Sequence, residues 1–376
     1  MMVPDGGPKA RYVMIGGFLG AGKSTAVLAF ARRLTDQGRR VGLITNDQST
    51  GLVDTAQMLS HGFDVQEIPG GCFCCRFNSL VEAADALARD TVPDLFLAEP
   101  VGSCTDLVAS VSYPLRRMYG DRFTLAPLSV MVDPIRAARV LGIESGRSFS
   151  SKVVYVYRKQ LEEARLIVIN KTDLLEPDRL ARLRSALAET FPRAEVLACS
   201  ARQGIGLDEW FARLTGDEDD VGEAAELDYD EYAAGEAALG WLNCTVTVTA
   251  GEAFDGNETL HGLARSIQNR LETGGAAIAH LKMTLSPDQG HDIAVINLVG
   301  NDMVPELSQR LTDPVQRGQL LVNLRAEAAP ELLEAVTREV LGDGQAVPAA
   351  VSLTLEHLEC FRPARPEPTH RMTTRP

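Results

Sequence analysis

The chain is poor in the features that carry a protein into a membrane or onto nucleic acid. Its longest uncharged run is the fifteen residues from Ala237 to Gly251, broken by Asn243 and several Thr. A helical span needs roughly 18 apolar residues, so no membrane partner is expected. The opening Met1-Met2-Val3-Pro4-Asp5-Gly6-Gly7-Pro8 lacks the basic stretch and long apolar core of an export signal, and residues 1–10 read as a flexible leader. Lys and Arg are missing between Arg213 and Arg265, where thirteen Asp and Glu fall against a whole-chain net charge of -14. The rest of the chain is therefore close to neutral. It has no basic stripe with interleaved aromatics, which argues against a DNA or RNA partner. The six histidines, His61, His261, His280, His291, His357 and His370, are scattered and read as ordinary surface or core residues. With no export signal, the seven cysteines point to reduced thiols in the cytoplasm, suited to metal or redox chemistry before disulfides.

What is present is a folded chain of two domains. At 376 residues it exceeds what one core organises, and 45% hydrophobic residues supply a sizeable interior. Residues 11–215 alternate apolar, β-branched runs with amphipathic stretches. The runs are Tyr12 to Ile15, Val41 to Thr45, Val65 to Ile68, Leu95 to Ala98, Leu128 to Val132, Leu166 to Ile169 and Val196 to Ala198. Uniformly apolar strands separated by helices predict an α/β fold with a doubly wound, mostly parallel sheet. Residues 216–240 read as an acidic linker, and Tyr229, Tyr232 and Trp241 suggest that its far end docks onto a domain. Residues 241–360 predict a smaller α+β domain with an antiparallel sheet, since Val246 and Val248 alternate with Thr245, Thr247 and Thr249. The Pro- and Arg-containing stretch 361–376 predicts a disordered tail.

Gly17-Phe18-Leu19-Gly20-Ala21-Gly22-Lys23-Ser24 matches the phosphate-loop pattern, and it sits between a predicted strand and a predicted helix, as that motif requires. Its glycines let backbone N–H groups converge on phosphates at the positive end of a helix. Lys23 is placed to reach the β- and γ-phosphates. Ser24 offers a hydroxyl to magnesium, with Thr25 beside it.

Asn170-Lys171-Thr172-Asp173 follows a late apolar strand. A carboxylate at Asp173 can accept from both N1–H and the exocyclic amine of guanine, a pair adenine lacks, so GTP or GDP is the expected nucleotide. Cys199-Ser200-Ala201, after the next strand, suggests a base-supporting loop through Ser200 and Ala201. Glu99-Pro100-Val101-Gly102 ends a central strand: Glu99 is a candidate magnesium holder, and Gly102 can offer its N–H to the γ-phosphate. Asp47, at the end of the second strand, is a candidate for magnesium or for orienting the attacking water. For both acids a helix cap or a solvated turn is the other reading. Lys23, Asp47 and Glu99 form the expected catalytic set.

Gly70-Gly71-Cys72-Phe73-Cys74-Cys75 gathers three soft ligands in four residues, and the preceding glycines permit the turn that would bring them together. Cys72, Cys74 and Cys75 are candidate ligands for a transition metal, zinc first and cobalt second. A fourth ligand can come from Glu67, Cys104, water or another protein. A buried apolar cluster or a redox pair stays open as the other reading.

Together these motifs, in this order along the chain, resemble the CobW-type branch of P-loop GTPases, related to hydrogenase and urease nickel-insertion factors. Gly17 to Ser24 is similar to that family's phosphate loop, Cys72 to Cys75 to its C-x-C-C motif, Glu99 to Gly102 to its E-x-x-G and Asn170 to Asp173 to its N-K-x-D. The resemblance implies a slow GTPase that couples nucleotide state to capture or delivery of metal, with a client metalloenzyme and a homodimer as partners to test. It also implies an α+β domain after a linker. The chain departs from the family's N-E-F-G-E-x-G segment, carrying Asn46-Asp47-Gln48-Ser49-Thr50-Gly51 instead. A chaperone of a corrinoid-type enzyme with structural cysteines, or a P-loop kinase of a small molecule, are the rival readings.

Overall fold

The computed structural model describes residues 9–47, 53–217, 220–290 and 292–376. The first eight leader residues, Gln48 to Gly51 of the departing segment, and His291 lie outside the described residues. The chain divides into two compact units, one of Met1–Thr50, Phe63–Ala233 and Pro366–Pro376, the other of Gly51–Gly62 and Ala234–Arg365.

The first unit is built on a sheet of β1 (Ala10–Gly17), β2 (Val41–Asn46), β3 (Val65–Ile68), β4 (Leu95–Glu99), β5 (Phe123–Leu125), β6 (Ser129–Val132), β7 (Leu166–Ile169) and β8 (Glu195–Ala198). The order is β3-β2-β4-β1-β6-β7-β8, with β5 against the start of β1, and every pairing is parallel. All residues of β1, β4 and β7 are buried, the expected result when helices such as Lys23–Asp36, Phe77–Leu87 and Ser151–Glu162 cover both faces. The strand order reverses beside β1, so the crevice outside the C-terminal ends of β1, β2 and β4 is where this architecture places a ligand. The phosphate loop, Asn46-Asp47 and Glu99 all stand on that edge.

The second unit is a six-stranded antiparallel sheet of β9 (Leu239–Phe254), β10 (Ala277–Pro287), β11 (Ala294–Leu298), β12 (Glu306–Gln309), β13 (Val315–Glu327) and β14 (Val351–Phe361), ordered β12-β11-β10-β13-β9-β14. Leu242, Cys244, Val246 and Val248 of β9 share a core with Leu320, Val322, Leu324 and Ala326 of β13 and with the helices Gly256–Thr273 and Pro330–Asp343. Buried Arg325 lies 4.1 Å over the Trp241 ring and donates to Leu242 O and Asn243 Oδ1. The helix Val53–Ser60, which follows β2 in sequence, also belongs here. Its Val53 packs with Ile293 and Val295 and donates to Asn323 Oδ1 at 3.0 Å, and Asp54 pairs with Lys282.

Two expectations need correction. The far end of the acidic linker docks through buried Tyr232 as its aromatics suggest, but described residues before it are packed on the first unit too: Val221 and Ala225 are buried, and Asp220 pairs with Arg165. A few apolar side chains find slots, and the charges face cations instead of water alone. The helix Tyr229–Ala238 then crosses the boundary between units. The stretch 361–376 is not a free tail either: Phe361 closes β14, and Pro366–Pro376 forms part of the first unit. Among the described residues no helix is long and apolar enough to cross a membrane.

Leu324 is fully buried at the centre of the second unit's core. Leu324→Ala is expected to cost about 3 kcal/mol through lost burial and the cavity left behind. The measurement is the urea midpoint of that unit's transition, followed by Trp241 fluorescence; an unchanged midpoint contradicts the assignment.

Candidate functional site

The phosphate loop is held open by backbone geometry. Gly17, Gly20 and Gly22 all have positive φ, at 129°, 79° and 93°, conformations that side chains resist. The helix that follows starts at Lys23 from a Gly22 cap with no side-chain hydrogen bond and no acidic residue in its first turn. Its first N–H groups are thus left for an anion, and the helix dipole favours one. Lys23 and Ser24 are buried at this end. Ser24 Oγ donates to Glu99 Oε1 at 3.0 Å, and Lys23 Nζ lies 3.8 Å from the same oxygen. Hydroxyl, ammonium and carboxylate therefore converge where a nucleotide's terminal phosphates and a magnesium ion would fit.

The Asn170-Lys171 pair braces this loop from the other side. Asn170 Nδ2 donates to Ala21 O at 2.9 Å, and its Oδ1 accepts from Ala201 N–H. Lys171, itself at φ 56°, donates to Gly20 O and to Asp133 Oδ2, both at 2.8 Å. Asp173 follows in a short helical turn and is exposed. Ser200 is buried in a turn with Ile205 and accepts from Gln203 N–H, so Ala201 rather than Ser200 links to the loop. Asp47 is half-buried and donates its backbone N–H to Ile68 O.

Sequence reasoning missed Asp133 and Arg136. Asp133 caps the helix Pro134–Val140 by accepting from Ile135 and Arg136 N–H, while Arg136 donates to Leu19 O. Burial pushes the Asp133 carboxyl up, but Lys171 and Arg136 beside it outweigh burial and hold it below the usual carboxylate range. The signal was present: an Asp followed by Pro after an apolar strand is a helix-start pattern.

The three cysteines come together as the Gly-Gly turn predicts. Gly70 and Gly71 have φ of 76° and 147°, and Asn46 Nδ2 donates to Ile68 O and Gly71 O, tying the turn to the end of β2. Cys75 and Arg76 N–H both reach Cys72 O, curling the segment. The sulfurs lie 2.6 Å (Cys72 to Cys74), 3.3 Å (Cys72 to Cys75) and 3.6 Å (Cys74 to Cys75) apart. They form the one group of three or more potential ligands among the described residues whose donor atoms converge. Three soft donors within reach of one point fit a thiophilic ion such as zinc. Of the candidate fourth ligands, Cys104 presents its thiol to Cys74, whereas Glu67 lies half-buried on β3. Contact with Cys104, then with Cys72 and Cys75, pushes the Cys74 thiol well above the usual range. Contact with Cys72 is the main cause that raises Cys75 to about 11.

Cys104 sits two residues beyond Gly102, in a turn pinned by Gln160 Nε2, which donates to Gly102 O and Cys104 O at 2.9 Å each. Beneath it, Glu163 accepts from Thr105 Oγ1 and Val108 N–H, and burial raises its carboxyl to about 8.

A parallel sheet reversing beside a glycine-built phosphate loop defines a P-loop nucleotide-binding protein. The family model described as CobW/HypB/UreG, nucleotide-binding domain, matches residues 11–198, half of the chain. The chain belongs to the CobW/HypB/UreG family. Among curated relatives it is 30% identical to the zinc chaperone YeiR of Escherichia coli strain K12, over 45% of this chain and 48% of that protein. To the zinc chaperone CobW of a Sinorhizobium species it is 25% identical, over 61% of this chain and 69% of that one. The chain thus spans about half the length of the first relative and about two thirds of the second. The solved structure of Zn(II)-bound YjiA GTPase from E. coli covers 89% of this chain and 99% of its own, at 15% identity and a TM-score of 0.37.

Glu163 supplies a pH test. Below about pH 4.5 its carboxyl is protonated whether the chain is folded or not; between there and about pH 8 the folded state alone keeps the proton. Stability from this group is therefore lost as pH rises through that window. Glu163→Gln should flatten the fall in melting temperature between pH 5 and 8.5, and a variant that follows the parent curve rejects the assignment.

Proposed function

We infer that the chain binds and slowly hydrolyses GTP with magnesium, and uses the nucleotide state to control capture or release of a transition metal at Cys72, Cys74 and Cys75. The observation that carries this reading is the shared framework of the two sites. Asn46, at the end of β2, holds the cysteine turn. The stretch after β4 begins at Glu99 against Ser24 and reaches Cys104 against Cys74. A change in how the γ-phosphate meets Gly102 would pass along two residues to Cys104 and the sulfurs.

In this reading Gly17, Gly20, Ala21, Gly22, Lys23, Ser24, Thr25 and Gly102 bind the phosphates, while Ser24, Asp47 and Glu99 hold magnesium. Magnesium supplies charge neutralisation on the phosphates. Lys23, Asp47 and Glu99 serve hydrolysis, Asp47 or Glu99 orienting the water. Asn170 and Lys171 brace the loop, Asp173 selects guanine, and Ser200 and Ala201 support the base. Zinc is the favoured metal, since relatives of the family bear the name zinc chaperone and thiolates suit it. The cytoplasm, with its reduced thiols, is the compartment that fits. A client metalloenzyme and a homodimer are further partners that this function would use.

Asp173→Ala should weaken GTP binding at least tenfold while leaving the weak binding of ATP unchanged, measured by calorimetry; equal loss for both nucleotides rejects the base-selecting role. Cys74→Ser should abolish stoichiometric zinc binding with GTP binding intact. The decisive measurement is zinc or cobalt titration of the GDP, GTP-analogue and nucleotide-free forms. Coupling requires at least a severalfold affinity difference between states, because a ligand with equal affinity for both shifts neither. Identical affinities refute it.

A further inference from the structure

We propose that the segment Pro366–Pro376 is a removable component of the cysteine site, a strap that positions the Cys74-Cys75 backbone, covers the sulfurs and sets the rate of metal exchange. This rests on the metal reading above for its purpose, but not for its geometry. Glu367 N–H lies 3.3 Å from Cys75 Sγ, the only backbone donor from outside the cysteine turn that is seen on these sulfurs among the described residues. Thr369 then bonds twice: its N–H donates to Cys74 O at 2.9 Å, and its hydroxyl donates to Cys75 O at 2.9 Å. Two residues of the turn thus have their carbonyls held by one threonine almost three hundred positions away. The His370 ring packs edge-on against Phe77, 5.1 Å between centroids, at the start of the helix that follows the cysteines.

The strap is latched beyond the site. Arg371 Nε donates to Asp106 Oδ2 at 2.8 Å, with Nη2 at 3.4 Å from Oδ1, a two-pronged contact. Asp106 is buried, and its backbone is left-handed at φ 65°, a strained conformation for a residue with a side chain. Tyr229 donates its hydroxyl to the same Oδ2 at 2.6 Å and lays its ring 5.4 Å from the Arg371 guanidinium. Met372 N–H closes the run on Ala109 O at 2.8 Å, and Arg375 reaches Asp220 at 3.4 Å.

A built socket for one arginine, next to a threonine that ties down two metal-site carbonyls, is more than incidental packing. Yet the strap itself is polar and proline-bearing, with Arg371 about one-third exposed, so its hold depends on these few contacts rather than on a buried apolar face. Such contacts can open without unfolding the sheet. While the strap is down, Cys72 and Cys74 are buried and Cys75 is half-covered. A metal acceptor must displace it.

The test uses the full chain, Arg371→Ala, and a variant ending at Arg365, each checked for folding by GTP binding. In the metal-free proteins, iodoacetamide modification of Cys75 is followed by mass spectrometry; in zinc-loaded proteins, zinc loss to a chromophoric chelator is timed. Truncation should speed both at least tenfold and Arg371→Ala severalfold, and adding the peptide 366–376 in trans should slow the truncated protein again. Rates equal to those of the full chain in both variants, with GTP binding intact, overturn the strap and leave the metal reading standing. If zinc does not bind but truncation still exposes Cys75, the metal reading falls and takes the exchange role with it, while the strap's cover of the sulfurs stands.

Discussion

A Cβ on Gly102 would stand 2.7 Å from the Leu19 side chain and 2.9 Å from the Leu19 nitrogen. No other residue can bring the end of β4 this close to the phosphate loop. From that contact the chain runs on through Cys104, which meets the sulfur of Cys74, to Asp106, which holds Arg371 and Tyr229, and to Ala109, whose carbonyl takes Met372 N–H. Gln160 and Glu163, both on or beside one helix, secure this stretch from below. Eight residues thus carry the link between phosphate loop, sulfurs and strap. A rigid stretch of this kind transmits small displacements because its packed neighbours leave it few alternative positions.

The phosphate loop is braced on its opposite flank by a different logic. Lys171 spans Gly20 O and Asp133, and Asn170 joins Ala21 O to Ala201 N–H. The loop is therefore preorganised, so binding phosphate costs little further ordering. The cysteine turn is less firmly held by its own residues: two glycines give it shape, and Asn46 and Thr369 give it anchors.

What could be read from the residues was what depends on neighbours in sequence. The phosphate loop, the parallel strands of the first unit and the convergence of three cysteines all follow from spacing within a few positions, and the structure has them. β5 and β12 escaped notice, β12 because Glu306-Leu307-Ser308-Gln309 holds a single apolar residue. β9 extends beyond its expected alternating stretch because pairing with β13 and β14 recruits flanking residues of any type. Asp106, Arg371 and Tyr229 look like ordinary charged and polar surface residues in the sequence. Their meeting is fixed by tertiary structure alone, as is the docking of Val53–Ser60 on the second unit's sheet. Low apolar content made the stretch 361–376 resemble a disordered tail, though a socket of specific polar partners can order a segment that burial cannot.

The assignment of Val53–Ser60 and Pro366–Pro376 to the units opposite their sequence neighbours leaves the chain crossing between units four times, at 50/51, 62/63, 233/234 and 365/366. Neither unit is a contiguous piece of polypeptide. A single nick, by protease or by gene dissection, leaves the two tethered, and a fragment expressed from 234 onward lacks a helix of its own fold. On the ribosome the first unit cannot be completed until the second has emerged.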